Sequence, residues 1–334
     1  WRTVVAVPTL LTAPALALEE LERLEVRYLA NSTGDLRFAL LGDFADAALE
    51  VMPGDEIVLS ALFDGLRALN ERYSAVQGGG ERFYVFYRRR QWSASERVWM
   101  GWERKRGKLH EFNRLLRGAT DTSFSGLTGA ALEVPSDVKF VITLDADTRL
   151  PRGAACHLVG ALAHPLNRPQ FDALGRVTAG YAVLQPRITL SLPNEREGTV
   201  FQSVYSSHAG MDPYASAVSD VYQDLFGEGS YAGKGIYDVD AFETALAGRV
   251  PETALLSHDL FEGLFARAGL VSDVELVEEY PSHYLVRSAR QHRWVRGDWQ
   301  LLPWVFSGRA PVSVIGRWKL LDNLRRSLTP VALV

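Results

Sequence analysis

An α/β fold built on a mostly parallel sheet follows from two features of this 334-residue sequence. Short runs of β-branched and aromatic residues alternate with longer segments whose apolar residues recur at helical spacing, the pattern of β–α units with helices on both faces of the sheet. Several of the short runs end in hydroxyl or acidic residues, namely Thr9, Asp43, Asp46, Asp145 and Asp147. Open sheets of this kind gather ligand-binding groups beyond the carboxyl ends of their strands.

Each element can be justified in turn. Thr3-Val-Val-Ala-Val7 reads as a buried strand closed by Pro8 and Thr9, and Leu18, Leu21, Leu24 and Tyr28 then mark a helix. Leu36-Arg-Phe-Ala-Leu-Leu41 is a second strand ending at Gly42-Asp43-Phe-Ala-Asp46, followed by a helix with Leu59, Leu62, Phe63 and Leu66 on one face. After the Gly78-Gly-Gly80 turn, Phe83-Tyr-Val-Phe-Tyr87 gives a third strand and Val138-Lys-Phe-Val-Ile-Thr-Leu144 a fourth. A helix follows over residues 152–162, then a strand at Tyr181-Ala-Val-Leu-Gln-Pro-Arg187. Residues 190–235 are aromatic and Gly-rich with weak periodicity, which reads as a substrate-binding insertion or, more simply, a long surface loop. Within it, Gly229, Ser230 and Tyr231 are candidate acceptor contacts.

Composition sets outer limits. A hydrophobic share of 47% with 10% aromatics fills a sizeable core, and the formal charge of −4 offers no global basic field for nucleic acid. The lone Cys156 leaves no internal disulfide or cysteine metal cluster. No run approaches the ~20 apolar residues of a membrane-spanning helix, and no signal-peptide layout is visible. The chain nevertheless starts almost inside a strand at Trp1 and stops in an apolar run after Arg325 and Arg326, as a piece of a longer, membrane-anchored protein would. A terminal helix packed on the domain is the alternative.

Four constellations carry chemistry. Asp145-Ala-Asp147-Thr148, directly after a strand, offers two hard-oxygen ligands that suit Mg²⁺ or Mn²⁺ and a diphosphate, although Asp147 or Thr148 capping the next helix would explain the same residues. Arg104-Lys-Arg-Gly-Lys108 is a basic cluster at a helix start, suited to diphosphate but also to a solvated surface. In Ser257-His-Asp259-Leu-Phe-Glu-Gly263, Asp259 near a helix N-terminus is a candidate general base for inverting glycosyl transfer, or simply a cap. In Arg290-Gln-His-Arg-Trp294-Val-Arg296-Gly, helical spacing puts Arg290, Arg293 and Trp294 on one face, with guanidiniums for phosphate and an indole for a sugar ring, or for salt bridges over apolar surface.

In this order the four motifs resemble those of processive family 2-like glycosyltransferases with the GT-A fold, the group of cellulose and hyaluronan synthases, over nearly the whole chain. Those enzymes carry a DxD, a Thr-Glu-Asp type motif and Gln-x-x-Arg-Trp. His258 here replaces the usual Glu and Arg290 the usual Gln. These departures argue against a cellulose or chitin synthase, and Ser-His-Asp-Leu-Phe-Glu-Gly with Arg-Gln-His-Arg-Trp-Val-Arg-Gly-Asp-Trp is similar instead to the glycosyltransferase domain of cyclic β-1,2-glucan synthases. The resemblance implies UDP-glucose as donor, a β-1,2-glucan acceptor and Mg²⁺ or Mn²⁺. It also implies a parent protein in the bacterial inner membrane, active on its cytoplasmic face, with a phosphorylase-like domain in the same polypeptide. By position it places Thr9 and Asp43 at uridine, Lys108 and Asp145 at the nucleotide sugar and diphosphate, Asp147 at the metal and Asp259 at the acceptor hydroxyl. Arg293 and Trp294 fall at the diphosphate and the glucan, with Arg290 beside them. It divides the chain into a transferase domain over 1–300, with a nucleotide-binding half at 1–150 and an acceptor-binding half at 151–300, and an interfacial helical segment at 301–334.

Rivals are another processive β-glycan synthase, a haloacid-dehalogenase-like phosphatase and a non-catalytic carbohydrate-binding domain. The phosphatase motif needs Thr two residues after its second Asp, whereas Thr148 follows Asp147 directly. A binding module leaves Asp147 and Asp259 without a role.

Overall fold

The structure is a computed structural model that describes residues 1–73, 80–126, 132–191, 198–205, 220–250, 252, 258–306 and 312–333. Its strands are β1 (Thr3–Leu11), β2 (Leu36–Phe44), β3 (Phe83–Arg88), β4 (Gln91–Ser93), β5 (Val98–Met100), β6 (Phe124–Ser125), β7 (Phe140–Thr143), β8 (Gln170–Phe171), β9 (Val177–Ala179), β10 (Val183–Leu190), β11 (Gly235–Asp238) and β12 (Ala268–Glu278). Its helices are α1 (Pro14–Ala30), α2 (Asp55–Arg72), α3 (Arg104–Leu115), α4 (Ala154–Ala163), α5 (Val200–Tyr205), α6 (Val221–Phe226), α7 (Val239–Leu246), α8 (Asp259–Ala266), α9 (Tyr284–Gln300), α10 (Leu302–Phe306) and α11 (Val314–Ala332). The chain packs as two compact units, one of Trp1–Ala163 with Lys234–Glu243, the other of His164–Gly233 with Thr244–Val334.

In the first unit the strands lie in the order β11-β7-β1-β2-β3-β6. The pairs β1–β2, β1–β7 and β2–β3 are parallel, while β11 and β6 run antiparallel to their neighbours. The fold is thus α/β with a mostly parallel sheet. Val4, Val5, Val7, Phe38, Leu40, Leu41, Val141 and Ile142 are fully buried, as expected of strands covered on both faces. Gly65 brings α2 close to α1, since a Cβ there would lie 2.7 Å from the Leu21 side chain. On α1 Leu21 and Leu24 are buried and Tyr28 packs on Phe38 and Phe83, as the spacing predicts; Ala17 and Arg27 are buried too, and Leu18, 41% exposed, lies at the rim against Gly65 of α2.

The first strand does not close at Pro8 but continues to Leu11, and the second runs past Leu41 to Phe44. Ala6 directs its backbone toward β7, accepting from the Leu144 amide at 3.1 Å, so Pro8, two residues on, points to the same side. β7 pairs only as far as Ala6, and the missing Pro8 N–H therefore costs no ladder bond while β1 stays paired with β2 through Leu11. Thr9 and Asp43 thus lie within the ladder, with Thr9 opposite Gly42 and Asp43 opposite Leu10.

In the second unit β10 pairs in parallel with β12 across an irregularity at Pro186/Arg187. Helices α9, α10 and α11 pack together. At their centre is Asp298, 1% exposed, which accepts hydrogen bonds of 2.6 Å from Asn323 and from the Arg326 fork. The stretch read as an insertion contains α5 and α6, while residues 192–197 and 206–219 lie outside the described residues. Among the described residues no helix is long and apolar enough to cross a membrane.

Candidate active site

In the first unit the Asp145–Thr148 segment forms a tight turn after β7. The Thr148 amide donates to the Asp145 carbonyl at 3.0 Å, and the Asp145 amide donates to Thr148 Oγ1 at 3.2 Å. Asp145 and Thr148 thus close their own turn, and α4 begins only at Ala154, too far on for Asp147 or Thr148 to be its N-cap. That cap comes from Asn31 Oδ1, which accepts from the Ala155 amide at 3.1 Å. Each Asp145 oxygen meets a lysine: Lys105 Nζ lies 2.5 Å from Oδ1 and Lys234 Nζ 3.0 Å from Oδ2. Burial raises the Asp145 pKa, but the two ammonium groups outweigh it and hold the carboxyl far below the ordinary carboxylate range. Asp147 sits beside it, half-buried. Both Asp145 oxygens face lysines, which suits an anionic ligand, and Asp147, a hard-oxygen donor on the same turn, has the chemistry that fits Mg²⁺ or Mn²⁺.

A second charged cluster lies at the ends of β2 and β3. Arg88, 1% exposed, grips Asp43 with two nitrogens at 2.7 and 2.8 Å and donates to Glu111 at 2.9 Å. Lys108 lies 3.0 Å from Asp43 Oδ2 and donates to the Thr9 carbonyl at 3.0 Å. Glu111 also accepts from the Ser123 amide and hydroxyl at 2.7 and 2.6 Å. Burial raises the Asp43 pKa, yet Lys108 and Arg88 pull it below its usual value. For Lys108, burial dominates and takes the ammonium down to about 8. Gly101 makes this packing possible, because a Cβ there would sit 2.6 Å from the Asp43 carboxyl carbon. The turn into α3 is also unusual: Glu103 and Arg104, neither a glycine, both have φ of 49°. The structure therefore joins Thr9, Asp43 and Lys108 in one network, and Asp46 touches its edge, paired at 2.9 Å with Arg104, whose carbonyl accepts from Arg88 at 3.0 Å.

In the second unit Asp259 is the first residue of α8, and the preceding His258 makes no side-chain cap. Ser257 lies outside the described residues. His258 Nε2 is 3.6 Å from Asp259 Oδ1 and 3.9 Å from Glu262 Oε2, an ionic distance rather than a hydrogen bond. Gly233, with φ +79°, passes so close that a Cβ there would be 2.5 Å from Asp259 Oδ1. The segment leading to it contains Gly229, Ser230 and Tyr231. Tyr231 packs on Gly263, whose added Cβ would be 2.8 Å from that of Tyr231. The buried Ser230 hydroxyl has no hydrogen-bond partner among the described residues. From α11, Lys319, 2% exposed, donates to the Gly229 carbonyl at 2.8 Å and to the Glu228 carbonyl at 3.2 Å. At the other end Gln185 accepts from the Ala232 amide at 2.7 Å. Arg290, Arg293 and Trp294 lie on α9 as the spacing requires: Arg293 is exposed, the others are half-buried, and Arg326 stacks 5.8 Å from the Trp294 ring centre.

Sequence reasoning missed Lys105, Lys234, Arg88, Glu111, Gly233 and Lys319. Lys105 stood inside the basic cluster and Lys234 inside the Gly-rich stretch, so both were visible as charges without an assigned partner. Arg88 to Arg90 at the end of β3 gave a similar signal.

Fold and site together define an α/β domain whose mostly parallel sheet carries charged groups at the ends of its strands. No family model matches the chain. It is 53% identical over 332 residues, 99% of its length, to cyclic beta-(1,2)-glucan synthase NdvB of Rhizobium meliloti (strain 1021). The chain spans 12% of that relative. Among solved structures it is similar to S. aureus TarS residues 1–349, with TM-score 0.42 at 11% identity over 97% of this chain and 70% of the other. A second structure of the same fragment, in complex with UDP-GlcNAc, gives TM-score 0.45 at 11% identity over 98% and 73%.

Proposed function

We propose that this chain transfers glucose from UDP-glucose to a growing β-1,2-glucan with inversion at the anomeric carbon. The observation that carries the proposal is Asp145 held between Lys105 and Lys234 beside Asp147, in a chain 53% identical along its length to a cyclic beta-(1,2)-glucan synthase. Two carboxylates on one turn, with a lysine from α3 and another from just before β11 beside them, can accommodate a diphosphate and its counter-ion. Asp147, with Asp145, would hold Mg²⁺ or Mn²⁺, which when bound neutralises the charge of the departing nucleoside diphosphate. Thr9, Asp43 and Lys108 form the buried wall at which we place the uridine end of the donor.

Transfer needs a base for the acceptor 2-hydroxyl, and we assign this to Asp259. As the hydroxyl oxygen attacks C1, Asp259 takes its proton and the C1–O bond to the diphosphate breaks, so an α-linked donor yields a β-linked product. Ser230, Tyr231 and the Gly229 backbone would line the acceptor path with Arg290 and Trp294, the indole serving as a sugar platform, and Arg293 would bind the diphosphate. The proposal places the domain at the cytoplasmic face of a bacterial inner membrane, in a longer polypeptide that also has a phosphorylase-like domain. It is tested by incubating the full-length protein in membranes with labelled UDP-glucose and analysing linkages in the product. β-1,2-linked glucose supports the reading. A β-1,4 or β-1,3 product would replace it with another processive β-glycan synthase.

A further inference from the structure

The last turn of α1 serves the Asp145–Thr148 turn in a way the proposed mechanism does not use. Arg27, 4% exposed, donates from Nη2 to the Ala146 carbonyl at 2.6 Å and to the Thr148 carbonyl at 3.0 Å, and from Nε to Thr148 again at 3.2 Å. One turn later Asn31, 1% exposed, donates from Nδ2 to the Leu150 and Pro151 carbonyls at 3.3 and 3.1 Å. Four residues apart on a helix, the two side chains share a face and catch four carbonyls of one loop.

Their chemistry differs. A neutral amide suffices for Asn31, whereas at Arg27 the fold desolvates a guanidinium, a costly group to bury. Burial draws its pKa down to about 10, so it keeps its charge at neutral pH, and Asp147 is among the charges that favour it. Nη1 has no hydrogen-bond partner among the described residues. The planar fork fixes the Ala146 carbonyl, and so the peptide entering Asp147, together with the Thr148 carbonyl beyond it, while the Thr148 amide bonded to the Asp145 carbonyl fixes the peptide between them; the direction of the Asp147 Cα–Cβ bond follows.

We propose that Arg27 is the positioning residue for Asp147, so that α1 sets how tightly the turn holds a divalent cation. The inference rests on the metal reading given above. The charge of Arg27 opposes a bound cation, but no bond from Arg27 to the Asp147 carboxylate is needed for its hold on the turn, which is made by direct hydrogen bonds to the backbone. Loss of positioning is therefore the larger effect.

Mn²⁺ titration followed by electron paramagnetic resonance of the free ion, with melting temperature recorded in parallel, tests this. Arg27→Met is expected to weaken Mn²⁺ binding tenfold or more. Arg27→Lys, which keeps the charge without the fork, is expected to weaken it about threefold and carries the test if the methionine variant fails to fold. Asn31→Ala is expected to lower the melting temperature while leaving Mn²⁺ affinity within twofold. Unchanged or tighter binding in Arg27→Met, or an equal loss in Asn31→Ala, overturns the inference. Absence of Mn²⁺ binding in the wild type overturns the metal reading along with it, whereas wild-type binding that is lost in Asp147→Ala but intact in both Arg27 variants overturns the Arg27 assignment alone.

Discussion

The two units prepare their functional groups by different physical means. In the first, charge holds charge: Asp43 is gripped by Arg88 and Lys108, and Asp145 by Lys105 and Lys234, at 2.5 to 3.0 Å. In the second, backbone geometry does the placing: Gly233 closes on Asp259 without a side chain, and Lys319 and Gln185 pin the loop around Ser230 by its peptide groups. The difference suits the two proposed tasks. A site for an anionic diphosphate profits from oriented cations that are already paired and desolvated, whereas a general base must stay unencumbered enough to take a proton.

The contrast can be broken at four points. Asp259→Asn should lower transfer by about a thousandfold or more while UDP-glucose affinity changes less than about twofold; equal loss of both in a steady-state and binding comparison would remove Asp259 as base. Arg88→Met leaves Glu111 buried without its cation and Asp43 with Lys108 alone, and should cost about 3–5 kcal/mol in urea denaturation. A loss below ~1 kcal/mol would mean the charged wall is not what holds the first unit together. Gly233→Ala forces a Cβ against Asp259 at a positive φ, and about 1–3 kcal/mol of strain should appear as a lowered kcat, with donor affinity kept. Normal turnover in that variant would show that close backbone approach does not set the base.

The smallest effect is in pH. Lys108 titrates at about 8 in the folded chain against 10.5 in its ordinary state. Below pH 8 both folded and unfolded chains hold the proton. Between about 8 and 10.5 the unfolded chain holds more protons, so the contribution of this group to stability rises with pH, on the order of 1 kcal/mol. Urea midpoints at pH 7.5 and 9.5 should therefore differ between wild type and Lys108→Met, with the wild type gaining more; parallel profiles would contradict the buried-lysine picture.

Much of the frame was legible because it is local. The β–α alternation and the strand before Asp145 appear in the sequence as periodicity and runs. The extent of β1 was not legible, because Pro8 is harmless only where β7 has already stopped, and that is a property of a distant segment. The same limit governs the site. The Asp145-Ala-Asp147 turn and Asp259 stand out as motifs. The partners of Asp145 come from α3 and from the residue before β11, and nothing near either lysine marks its target. Arg27 was hidden for a related reason: on an amphipathic helix an arginine reads as surface, and only the fold shows it turned inward under a loop more than a hundred residues away.

The central claim is that Asp145 and Asp147 make a metal-assisted nucleotide-sugar site. Calorimetric titration of UDP-glucose and of UDP, with and without Mn²⁺, into wild type and Asp147→Ala tests it most directly. The account predicts binding that requires Mn²⁺ in the wild type and is lost in the variant. Binding that ignores both the metal and the substitution would contradict it.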